Sequence, residues 1–246
     1  MKLATTLRLT IAMLALGVAV ASAEVLTPET ATRGADVNID LVNGPQITPT
    51  ATSFAGIVYD NTSAGSVANA GFSSTSLASV WGDELFTTNP GILSGFKFTI
   101  YNSSSSLGNL LTAACTLSFY DGATATYLGG FNTNVNFGTG LAKGSYSIIT
   151  VTGLDALAIT LNTTDVIVTQ QITAKTGTAN RLGFASLDPP TVGSSDVDFY
   201  ANSTTVGAAG WYLLSVTANL GYQITVADLP VPAQKTTWGR VKSLYR

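Results

Sequence analysis

Between Phe54 and Ala227, apolar residues recur at every second position in short runs, and nothing before the C-terminal tail sustains a helical spacing. A period of two sends successive side chains to opposite faces of an extended chain, so runs of this kind fold as sheet with one face buried. In "GFKFTIYN", Phe96, Phe98 and Ile100 share a face, and in "CTLSFYD" Cys115, Leu117 and Phe119 do so. "DVIVTQQIT" sets Val166, Val168 and Gln170 on one face and Ile167 on the other. About ten runs of this type, with Gly, Asn, Ser and Asp between them, predict an all-β antiparallel sandwich or jelly roll. "NTSAGSVANAGFSSTS" reads as a loop between two of them.

Four segments follow. Residues 1–23 carry Lys2 and Arg8, the apolar run "LTIAMLALGVAV" and then Ala21-Ser22-Ala23, the layout of a secretory signal peptide. That run is too short to span a bilayer, which takes ~20 apolar residues. Residues 24–53 are a Thr/Pro-rich extended segment. Within it, "ADVNIDLVN" alternates Val37, Ile39 and Leu41 with polar neighbours, a strand that would pair with its own domain or with a neighbouring molecule. Residues 54–227 form the sandwich. Residues 228–246 are a spacer with Pro230 and Pro232, which cannot extend a sheet, followed by a basic aromatic tail. The chain is expected outside the cell, without a membrane span.

Charge and composition exclude several functions. All 14 acidic residues lie between Glu24 and Asp228, against five bases in that stretch, Arg33, Lys97, Lys143, Lys175 and Arg181. Such a body does not attract phosphate backbones, so nucleic acid is no partner. The sequence has no histidine, which removes histidine-based triads and the common zinc sites. Cys115 is the single cysteine and reads as a small core hydrophobe. A carboxylate pair is the one catalytic device left. Asp83 and Glu84 are adjacent, and neighbours on a strand point to opposite faces, so a glycoside hydrolase is a remote alternative.

Two kinds of binding site remain. Calcium takes oxygen ligands, and Asp60, Asp83, Glu84, Asp196 and Asp198 gather at strand ends and loops where they would supply them. The competing role for such residues is the capping of turns. The aromatics Trp211, Tyr212 and Tyr200, near Phe199 and Trp81 in the same runs, would make a glycan platform, since a sugar ring offers an apolar C–H face to an aromatic ring. Four glycosylation sequons, at Asn61, Asn102, Asn162 and Asn202, arise readily by chance in a chain this rich in Ser and Thr.

In the tail, Trp238, Val241 and Tyr245 would line one side of a short helix, with Arg240, Lys242 and Arg246 elsewhere around it. The pattern Trp238, Gly239, Val241, Lys242, Tyr245 and Arg246 resembles the C-terminal tails of some exported bacterial proteins. Leader, domain, proline spacer and terminal tag together resemble the architecture of the PEP-CTERM sorting group. "LPVPAQ" lacks that group's Pro-Glu-Pro core, and no transmembrane helix follows. The stretches "IVYDNTSAG", "VWGDEL", "LSGFKFTIYN", "LSFYDG" and "GWYLLSV" are similar to secreted bacterial β-sandwich proteins of unknown function. These resemblances imply a sandwich shaped like a carbohydrate-binding module and a role for the tail in sorting or surface attachment. The expected function is an exported, non-enzymatic structural or adhesive component of the cell surface or matrix. Its partners would be an extracellular glycan, sorting or surface machinery, or further copies of itself. The alternatives are a glycan binder that uses calcium, and a filament subunit in which "DVNIDLV" completes a neighbour's sheet.

Overall fold

The computed structural model describes residues 31–41, 56–63, 67–104, 108–203, 207–213 and 219–227. The leader expected at 1–23 and the tail at 228–246 lie outside the described residues, as does most of the 24–53 segment. The described chain is strand almost throughout. In order it runs β1 (Thr32–Arg33), β2 (Val37–Asp40), β3 (Gly56–Asp60), β4 (Val67–Ser74), β5 (Val80–Phe86), β6 (Gly91–Asn102), β7 (Leu110–Asp121), β8 (Tyr127–Leu141) and β9 (Ser145–Thr152). A 3-10 turn at Leu154–Leu157 leads to β10 (Thr160–Leu161), β11 (Asp165–Gly177), β12 (Leu182–Asp188), β13 (Ser194–Ser203), β14 (Gly207–Leu213) and β15 (Tyr222–Ala227). Among the described residues, no helix is long and apolar enough to cross a membrane.

These strands make two sheets, so the all-β, antiparallel-rich expectation holds. Six strands form a fully antiparallel sheet in the order β14-β13-β5-β11-β7-β8. The other nine build around β6, whose length lets each of its edges serve two partners. One edge takes β9 and β10, and the opposite edge takes β12 at Tyr101 and Asn102 and β15 from Phe98 down to Ile92. β3 pairs with β15, and β4 pairs with β12. The "VNID" strand expected in the N-terminal segment is β2. It lies parallel to β9 of its own sheet, from Val37↔Ile149 to Asp40↔Thr152, with Val37 and Ile39 packed on the core.

The alternating residues meet between the sheets. Phe96, Phe98 and Ile100 of β6 are fully buried, as are Leu117 and Phe119 of β7 and Val166, Val168 and Gln170 of β11. Phe96 holds the two layers together. Its ring lies 5.3 Å from Phe119 and 6.2 Å from Phe131 across the core, both edge-on, and 5.4 Å from Tyr222 in its own sheet. Pairs like these add about 0.5–1.5 kcal/mol each beyond their burial. Cys115 is part of this core, and burial pushes its thiol up to about 12.

One expectation fails. The stretch read as the loop "NTSAGSVANAGFSSTS" contains β4, paired with β12 from Val67↔Asp188 to Ser74↔Leu182. Its Ala, Gly and Ser residues carry too little apolar surface to show a period of two, and a partner strand decides their conformation instead.

Candidate functional site

The six-stranded sheet buries one face and leaves the other to solvent. Register fixes which side chains line up across that outer face. One row runs Trp211, Tyr200, Gly82, Thr169, Ser118 and Gly130. A second runs Asn202, Val80, Gln171, Thr116 and Asn132, with the Thr116 hydroxyl donating to Asn132 Oδ1 at 2.7 Å. Neither row carries a charge. At about 4.8 Å between strands, six positions span roughly 24 Å. Hydroxyl, amide and aromatic side chains, with Gly82, Gly130 and Val80 among them, therefore make up a broad uncharged strip.

The expected aromatic platform divides between the two faces. Tyr200 and Trp211 are cross-strand partners on the outer face, with ring centroids 5.8 Å apart and planes at 70°. Trp211 leaves 40% of its surface exposed. Tyr212 goes the other way. Its ring packs beside buried Phe199 at 6.0 Å, and its hydroxyl donates to the Ala208 carbonyl. Trp81 is a core residue stacked on Phe199 at 6.2 Å. A second outer pair, Tyr120 and Tyr127, closes the far end of the sheet with centroids 5.5 Å apart. Their cross-strand register depends on the turn between β7 and β8, which the apolar pattern does not specify.

The five carboxylates considered for calcium do not gather at one point. Among the described residues, no three Asp, Glu, His or Cys side chains come close enough to share an ion. Asp60 caps the turn after β3: its Oδ1 accepts from the Thr62 amide at 2.7 Å and the Thr62 hydroxyl at 2.8 Å, and its Oδ2 from Ser63. Burial opposes its ionisation, but the bonds from Ser63 and Thr62 outweigh it and hold the carboxyl below the usual range. β13 advances from Ser195 to Phe199 while β5 moves only from Leu85 to Asp83, so Asp196 and Asp198 belong to a bulge opposite Glu84.

Asp83 and Glu84 point to opposite faces, as strand neighbours do, and Asp83 is the one that turns inward. It is completely buried between Val168 and Phe199 on the flanking strands. Its Oδ2 accepts from the Leu220 amide at 2.9 Å, and its Oδ1 has no hydrogen-bond partner. Burial drives this carboxyl well above its ordinary range, and the nearby charges of Asp198 and Asp196 add to the shift. Through the Leu220 amide, Asp83 ties its own sheet to the segment that leads into β15 of the other.

Two sequon asparagines prove to be structural. Asn61 sits where β12 and β15 part, and is completely buried. Its Nδ2 donates to the carbonyls of Leu187 (2.8 Å) and Leu220 (2.9 Å), while Oδ1 accepts from the Tyr222 amide at 2.6 Å. Asn102, the last residue of β6, does similar work, donating to Gly108 and Leu141 and accepting from Ser104. No local pattern announces either role, because every partner except Ser104 and Gly108 is distant in sequence. The tail residues Trp238, Gly239, Val241, Lys242, Tyr245 and Arg246 lie outside the described residues. In comparisons with known proteins, the chain matches no family model, no curated protein and no solved structure.

Proposed function

We propose that this chain is an exported, non-enzymatic β-sandwich protein that acts as an adhesive component of the cell surface or matrix. It would grip neutral polysaccharide with the outer face of the six-stranded sheet. The leader at 1–23 would direct export, and Trp238–Arg246 would serve as a sorting or docking handle beyond the proline spacer. The two charge-free rows, one of them ending on the Tyr200–Trp211 pair, carry this reading. A neutral glycan presents hydroxyls, which Thr, Ser, Asn and Gln side chains match, and C–H faces, which suit exposed rings. A long strip with no charged side chain in its rows fits an extended polymer better than a small polar metabolite, which calls for a concave pocket.

The test is co-sedimentation with insoluble neutral polysaccharides such as cellulose, chitin and starch granules. Trp211→Ala should weaken retention about tenfold or more, as loss of an aromatic anchor does. Its melting temperature should stay close to the parent's, since the indole stands on the solvent side. Equal retention of the parent and Trp211→Ala on every polymer would reject this face as the binding surface.

A further inference from the structure

The far edge of the same sheet points to a second activity. β8 spans 15 residues, and among the described residues it forms a ladder only with β7. Its other edge presents a row of backbone N–H and C=O groups, the template on which another strand pairs. Exposed edges are normally guarded by brevity, charge, proline or bulges. The edge formed by β1 and β2 shows such guards. Those strands have 2 and 4 residues, and Arg33 and Asp36 form an ion pair at 2.7 Å beside them. β8, "YLGGFNTNVNFGTGL", contains neither a charge nor a proline.

Its interruptions are glycines with positive φ, Gly129 at 149° near one end and Gly138 at 59° and Gly140 at 105° near the other. Between them Phe131–Phe137 runs as an uninterrupted stretch, with Asn132, Asn134 and Asn136 exposed and Phe131, Thr133 and Val135 buried. We infer that this edge is a self-association surface on which β8 pairs antiparallel with β8 of a second copy, about a two-fold axis at Asn134.

The stretch is self-complementary in that register. Asn134 stands opposite its own counterpart, and Asn132 opposite Asn136, so amides meet amides on the outer face. On the inner face Thr133 meets Val135, and Phe131 meets Phe137. A two-fold contact requires one patch to fit itself in this way. Cross-strand pairs of this type are the unit from which sheets gain stability. The acidic body would oppose association, but the joining strand itself brings no charge. The product is one continuous sheet of twelve strands, with the outer rows of two copies side by side.

The experiment is sedimentation equilibrium of the purified chain over a concentration series, with Asn134→Lys and Asn134→Asp compared alone and mixed. Position 134 is exposed, so neither change should disturb folding, which circular dichroism checks. The parent should dimerise. Each variant alone places like charges face to face and should associate about tenfold or more weakly. An equimolar mixture should recover dimers, because Lys then faces Asp. A parent that stays monomeric, as it would if the edge served a foreign strand, overturns the inference. Dimers that survive both substitutions overturn it as well, and variants that separate but do not recover on mixing overturn the two-fold register.

Discussion

Replacing Asp83 by Asn should leave the protein level with the parent or slightly less stable at pH 4 and make it the more stable of the two as pH rises. In the unfolded chain an aspartate titrates near ~3.9. In the folded chain burial, with Asp198 and Asp196 adding to it, places the same carboxyl well above that value. Between the two values the native state keeps a proton that the unfolded state has released. The native state therefore binds more protons, and stability must fall as pH rises, by ~1.4 kcal/mol per pH unit. The contribution of Asp83 is complete below about pH 4 and is lost progressively until the folded value has been passed.

The asparagine side chain would have the same shape and no charge to bury. Its carbonyl keeps the bond from the Leu220 amide, and its NH2 takes the place of the unpartnered Oδ1. An NH2 left unpaired there costs about 1–3 kcal/mol, independent of pH. The variant should thus start level with the parent, or slightly below it, at pH 4 and overtake it as pH rises. Urea unfolding of both chains at half-unit steps from pH 4 to 8 reads this as a difference in free energy, in which other titrating groups cancel. The pH at which the difference stops growing is the folded pKa of Asp83. A difference that stays constant above pH 4.5 would mean that Asp83 ionises as freely inside the protein as outside, and the account of its burial would fail.

Asn61→Ala removes three buried hydrogen bonds at once and strands the carbonyls of Leu187 and Leu220 and the amide of Tyr222. With unpaired buried groups costing about 1–3 kcal/mol each, a loss of ~3 kcal/mol or more is expected in chemical denaturation; a loss under ~1 kcal/mol would show that the fork is held by other contacts. A chain cut after Pro232 should move from the cell surface to the medium when cells are fractionated, and an unchanged distribution would reject the sorting role of Trp238–Arg246.

Much of the core was legible because burial and chain geometry coincide in it. Phe96, Phe98 and Ile100 alternate in the sequence because β6 turns every second residue to the interior, and Gln170 follows Val166 and Val168 inward for the same reason. β4 was not legible, since its small residues leave its conformation to β12. Nor was the division of the strands between two sheets, because β6 borrows β15 and β12 from distant parts of the chain. The outer rows follow the same division. Alternation shows that Tyr200 and Phe199 face opposite ways, but only the register of β13 on β5 and β14 sets Tyr200 between Gly82 and Trp211. That Asp83 and Glu84 face opposite ways was legible, but not which of them turns inward, nor the company Asp83 keeps there, for the amide that holds it comes from Leu220.

β15 is the last described strand to be synthesised, yet it belongs between β6 and β3. Until Tyr222–Ala227 and the residues just before them arrive, β3 has no ladder partner, Asn61 has no Tyr222 amide to accept from, and Asp83 lacks the Leu220 donor. Pairing between such remote segments is slow. A polypeptide threaded through a secretion pore from its N-terminus would stay unlocked until its far end had followed, and would close into its final form only on the other side.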